Sequence, residues 1–132
     1  MSDTMTDIFG PVISKYTTQD GIDDGLFIDV SEMAREAGLK FKVVVHTNLY
    51  HTHVVPSDEA KEYGQSVDGR LWDVLFMLRM AAGKATGSFI KYEVAFSDGP
   101  DKHRVEEFFA GCGPLSDTDP TPVITVYLPE DY

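Results

Sequence analysis

The 132 residues, 42% of them apolar, make a single domain over 1–132 with an ordinary packed interior and exclude two independent cores. The excess of 22 acidic over 11 basic residues gives a net charge of −11, which disfavours direct binding to nucleic-acid phosphates. No apolar run nears the roughly 18 residues a membrane-spanning helix needs, and a lone cysteine, Cys112, excludes an internal disulfide framework and a multi-cysteine zinc site.

Residues 1–7 are polar and acidic, which reads as a disordered start and not as a secretory signal. Ile8 to Ile13 is apolar around a Gly10-Pro11 turn. Thr17 then caps a short helical turn over Thr18 to Asp24 that Gly25 stops. Asp29 is set as the N-cap of a second helix, with Glu32 completing a capping box and Ile28 stapled to Met33. That helix runs from Val30 to Ala37, and Gly38 supplies its left-handed stop. Phe41 to Val45 is β-branched and reads as a strand, whereas His46 to Val55 fits neither period. Pro56-Ser57-Asp58-Glu59 starts another helix, its acids suiting the dipole, and Gly64 ends it.

Asp68 opens the main helix, Arg70 to Ala82, in which Leu71, Val74, Leu75, Leu78 and Ala82 recur at helical spacing. Trp72, Phe76, Met77 and Met80 widen this stripe so far that the helix is expected to be nearly enclosed, with Trp72 buried. The remainder is β. Ser88 to Ser97 alternates apolar and polar residues, Val105 to Cys112 does so more weakly, and Val123 to Leu128 follows a turn-rich loop over 113–122. The expected fold class is α+β, a small, mostly antiparallel sheet packed on one enclosed helix, with short N-terminal helices.

Two groups of residues carry candidate chemistry. His46, His51 and His53 fall within eight residues, and on a strand His51 and His53 would share a face, able to hold zinc or iron with Asp58 or Glu59. The spacing matches no cupin or zincin pattern, so exposed histidines are the preferred reading and no metal or other cofactor is expected. Cys112, between Gly111 and Gly113, sits in the most acidic stretch of the chain, which opposes thiolate formation. A buried structural cysteine is the expectation there. Arg70 and Asp73 are three apart on the main helix and can pair, orienting it against the N-terminal segment. Gly-rich phosphate cradles are absent from the sequence. No catalytic residue is assigned, and the chain is expected not to be an enzyme.

The distribution of charge is more informative than its total. Residues 1–30 carry six aspartates against Lys15 alone, a net of −5, and residues 105–132 carry six acids and no base, a net of −6. The middle of the chain is neutral. Such acids commonly do no more than keep a small protein soluble. If the termini meet in space, however, they make one negative face. Asp20, Asp23 and Asp24 from the first segment, with Glu106, Glu107, Asp117 and Asp119 from the last, are the expected partner-binding residues.

Several stretches resemble a family of small proteins of unknown function carried by plasmids, phages and other mobile elements. They are Ile8-Phe9-Gly10-Pro11-Val12-Ile13, Asp24-Gly25, the run Asp29 to Phe41, Gly69 to Leu75, and the ending Pro122 to Asp131. The run Asp29 to Gly38 is the most specific part, and His46 to His53 lies outside the pattern. The resemblance implies a cytoplasmic accessory protein of mobile DNA and no catalytic residues. Small acidic proteins in that setting suggest a non-enzymatic inhibitor of a host restriction or CRISPR complex, mimicking nucleic acid in a basic groove. The alternative is an accessory module for replication, partition or transfer that binds a protein partner through apolar surface. A metal- or thiol-dependent enzyme ranks below both. The expected partner is a protein with a basic surface, with no membrane involved.

Overall fold

The computed structural model describes residues 16–132. The apolar segment expected over 8–13 and the disordered start expected over 1–7 lie outside the described residues. The described chain is α+β. Its elements are α1 (Thr18–Asp23), β1 (Phe27–Asp29), α2 (Ser31–Glu36), β2 (Lys42–His46), α3 (Thr47–Leu49), α4 (Asp58–Glu62), α5 (Val67–Ala82), β3 (Phe89–Ser97), β4 (His103–Pro114) and β5 (Pro122–Tyr127). A π turn over Tyr50–Val54 follows α3, and a 3-10 turn over Pro129–Asp131 follows β5.

The five strands form one open sheet in the order β1-β2-β5-β4-β3. β2 and β5 are parallel, and every other pairing is antiparallel. Registers Tyr92↔Phe108, Ala110↔Val126, Val45↔Val126 and Ile28↔Val45 put these side chains on one face. That face, with Leu71, Val74, Leu75 and Leu78 of α5, is the core. The opposite face carries Phe89, Lys91, Glu93, Glu107, Phe109 and Tyr127, as strict alternation along each strand requires.

Most helix ends form where the sequence puts them. The Thr17 hydroxyl accepts from Asp20 N and the Asp20 carboxylate accepts from Thr17 N, a complete capping box on α1. Ser57 caps α4 at the expected start, whereas α5 begins at Val67 with Ser66 as its cap, ahead of the opening expected at Asp68. Gly38 adopts φ +99°, and any Cβ there would meet the Arg79 side chain, so both backbone and packing call for glycine.

The α2 start differs from expectation. Asp29 is not the N-cap, because it belongs to β1, which pairs with β2, and Ile28 points into the core instead of stapling Met33. The Asp29 carboxylate still accepts from Ser31 N at 2.9 Å and from Lys42 Nζ. Ser31 Oγ in turn accepts from Val43 N at 3.0 Å, tying α2 to β2. A second correction concerns α5, which is covered on one face only. Trp72 remains 38% exposed and stacks on Phe76 at a ring separation of 6.3 Å, while Met77 and Met80 are also exposed.

The Arg70–Asp73 pairing is replaced by a long-range one. Arg70, 2% exposed, donates to His53 O at 3.0 Å, to Ser97 O at 2.8 Å and to Asp98 Oδ1 at 2.9 Å. It therefore orients α5 against the β3–β4 turn and the π turn, and not against the N-terminal segment. Cys112 is exposed and lies within β4, contrary to the buried strand-end position expected of it.

Candidate partner-binding surface

Five of the seven expected acids lie on two elements that a backbone hydrogen bond joins, α1 and the β4–β5 loop. The first turn of α1 has backbone N–H groups without helical partners. Asp20 N is satisfied by Thr17, and Gln19 N donates to Leu115 O at 2.9 Å. That bond seats α1 on the β4–β5 loop. The loop closes on itself: Leu115 N donates to Thr121 O at 2.9 Å, and the Asp119 carboxylate accepts from both Thr121 N and Thr121 Oγ1. The Thr121 hydrogen bonds hold the Asp119 carboxyl below its ordinary range. Asp20, Asp23, Asp24 and Asp117 are exposed beside it.

No lysine, arginine or histidine occurs over 16–30 or 105–132, and none of these five aspartates forms an ion pair among the described residues. Among the described residues their side chains accept only neutral donors, such as Gln19 Nε2 on Asp23 and Tyr16 Oη on Asp24.

Glu106 and Glu107 do not join them. They precede Pro114 by eight and seven residues along the extended β4, roughly 24–27 Å at the strand rise. Glu106 accepts from Arg104 Nη1 at 3.2 Å, whereas Glu107 lies on the opposite face across from Glu93. The single seven-residue face is thus corrected to a five-aspartate end with two glutamates elsewhere. β-strand geometry separates them, because one long strand carries residues near in sequence to both ends of the sheet.

The three histidines diverge as well. The segment carrying His51 and His53 is a π turn, not a strand, so the two share no face. His51 is exposed against Tyr50. His53 is buried, and its Nδ1 accepts from Arg104 Nη1 at 2.8 Å. Burial, and then the neighbouring Arg104 guanidinium, push the His53 pKa below its ordinary value. Glu59 is engaged by Lys102 at 2.7 Å. Among the described residues no three His, Cys, Asp or Glu side chains come together in a metal-holding group.

Sequence reasoning missed a second feature, a cavity of about 210 Å³ lined by Leu26, Phe27, His46, Thr125, Tyr127, Asp131 and Tyr132. Asp131 Oδ1 accepts from Asn48 Nδ2 at 3.1 Å. Its Oδ2 lies 3.7 Å from His46 Nδ1 and is a buried oxygen without a hydrogen-bond partner among the described residues. Aromatic faces beside a carboxylate suit a cationic group. No spacing in the sequence signals this cavity, since its residues come from β1, β2, β5 and the final turn.

A family model, the family of unknown function DUF6573, matches residues 5–132, and the chain belongs to that family. Neither the curated proteins nor the solved structures contain a match. Among the described residues no helix is long and apolar enough to cross a membrane.

Proposed function

We propose that the chain is a non-enzymatic binding protein whose acidic end, α1 with the β4–β5 loop, engages a basic surface on a protein partner. One observation carries the reading: the Gln19 N to Leu115 O bond gathers Asp20, Asp23, Asp24, Asp117 and Asp119 in a region of sequence without a base. Uncompensated negative charge steers a basic partner and speeds association. The aromatic cavity holding Asp131 supports the same reading, because it offers a receptacle of the right sign for a basic side chain.

The resemblance to proteins of mobile elements supplies the setting, a cytoplasmic accessory protein. In that setting the acidic end acts as a nucleic-acid mimic in the basic groove of a restriction or CRISPR complex. A second reading is favoured by the stacked Trp72–Phe76 pair exposed on α5. Under it, the protein docks a replication, partition or transfer partner through apolar contact. Capture of partners from the native host on immobilised full-length protein separates the two, since exposed charge pairs are screened by salt and apolar contacts are not. The acidic reading expects a basic protein that elutes as salt is raised. A captured protein that stays bound at high salt contradicts it and favours the α5 surface.

A further inference from the structure

β3 is an edge of the sheet, nine residues long, and among the described residues it pairs only with β4. Long unblocked edges are unusual, because a row of free N–H and C=O groups recruits another strand. Neither proline nor bulge interrupts β3, and a groove of about 700 Å³ runs beside it, walled by Met77, Met80 and Lys84 above Phe89, Ile90 and Tyr92.

The charges along this edge select its occupant. Cys112 N donates to Ser88 O, so Ser88 and its alternate residues direct their backbone groups at β4. By alternation Phe89, Lys91, Glu93 and Ala95 direct theirs outward. On the β4 side Glu93 lies directly across from Glu107, a like-charge pair that costs stability. Among the described residues no strand lies on its other flank.

We infer that β3 pairs antiparallel with β3 of a second copy about a two-fold axis at Tyr92, joining two sheets into one of ten strands. In this register Lys91 faces Glu93 of the second copy and Glu93 faces its Lys91, so each Glu93 gains a base opposite the acid it already meets. Residues 91 and 93 both point their backbone groups outward, which makes them the hydrogen-bonded pair the ladder requires. Ile90 meets Val94 on the core side, and the groove-lining Met77 and Met80 are covered. Moving the axis to residue 91 sets lysine on lysine, and moving it to 93 sets glutamate on glutamate. The axis at Tyr92 alone pairs opposite charges, as a self-complementary interface demands. Within the acidic end, α1 packs against β1, at the far edge of the sheet from this contact.

Sedimentation equilibrium of the full chain tests the inference. The expected mass is twice 14.7 kDa. Lys91→Glu and Glu93→Lys each set like charges across the axis and give the single mass, with circular dichroism unchanged. The double exchange, Lys91→Glu with Glu93→Lys, restores the pairs and the doubled mass. A wild-type monomer overturns the inference, including the case in which the edge serves a strand of another protein. A doubled mass that both single variants retain, or that the double exchange does not restore, overturns the register. If one single variant fails to fold, the other carries the comparison.

Discussion

Arg70 spends its hydrogen-bonding capacity on Gln65, His53 O, Ser97 O and Asp98, and its guanidinium lies 5.5 Å from the Phe96 ring. Arg104 continues this network from the other side of Asp98, through Nε at 2.6 Å, and reaches His53 Nδ1. Arg70→Met leaves two carbonyls and part of a carboxylate unpaired. Because the side chain is buried, it should cost about 3–5 kcal/mol in denaturant unfolding.

His53 makes the network sensitive to pH. Its Nδ1 is an acceptor, so the ring is neutral in the fold, and its pKa is depressed below the ordinary 6.5. The unfolded chain therefore binds a proton first. The His53 contribution is fully present above pH 6.5 and is lost as pH falls through the depressed folded pKa. Asp98, lowered chiefly by its hydrogen bond from Arg104, adds a second loss below its ordinary 3.8. Thermal unfolding followed against pH should fall in two stages, and His53→Gln should remove the upper one only. A wild-type melting curve flat between pH 7 and 5 contradicts this arrangement.

At the scale of elements, α5 divides into a covered and an open face, and substitutions should register the division. Leu75 is fully buried, and Leu75→Ala should cost roughly 2–5 kcal/mol as a cavity substitution. Trp72→Ala should cost less, because the indole keeps solvent on one side and loses mainly its stack on Phe76. Equal losses in urea titrations would mean that the Trp72 face is covered too.

The sequence was most legible where structure is set within a few residues. The Thr17 cap, the Gly38 stop and the alternation of β3 are local chemistry, and all three form as read. It was least legible where a distant partner decides. Asp29 and Ile28 match a helix start, yet pairing with β2 draws both into β1. Arg70 has an acid three residues away, but burial against the β3–β4 turn gives it Asp98 instead. Trp72 reads as core because hydrophobicity marks a stripe without saying whether another element covers it.

Over the whole molecule, the sheet order accounts for the fate of the acidic set. α1, which carries Asp20, Asp23 and Asp24, is joined through Gln19 N to the loop between adjacent strands that carries Asp117 and Asp119. Glu106 and Glu107 sit toward the other end of β4, and their nearness in sequence to that loop is no guide to where they point. The sequence marks acids in both segments but does not expose the length of the strand that divides Glu106 and Glu107 from the loop. Asp20 also completes the α1 capping box, which makes it unsuitable for mutation as a pure charge probe.

Association kinetics with the captured partner test the central claim most directly. Asp23→Asn, Asp24→Asn and Asp117→Asn combined remove three charges from the acidic end, while Glu106→Gln, Glu107→Gln and Glu36→Gln remove three from elsewhere. The account expects the first variant to associate about tenfold or more slowly and to lose much of the salt dependence of its on-rate, while the second stays near wild type. Equal on-rates for the two variants, or an on-rate indifferent to salt in the wild-type protein, would contradict it.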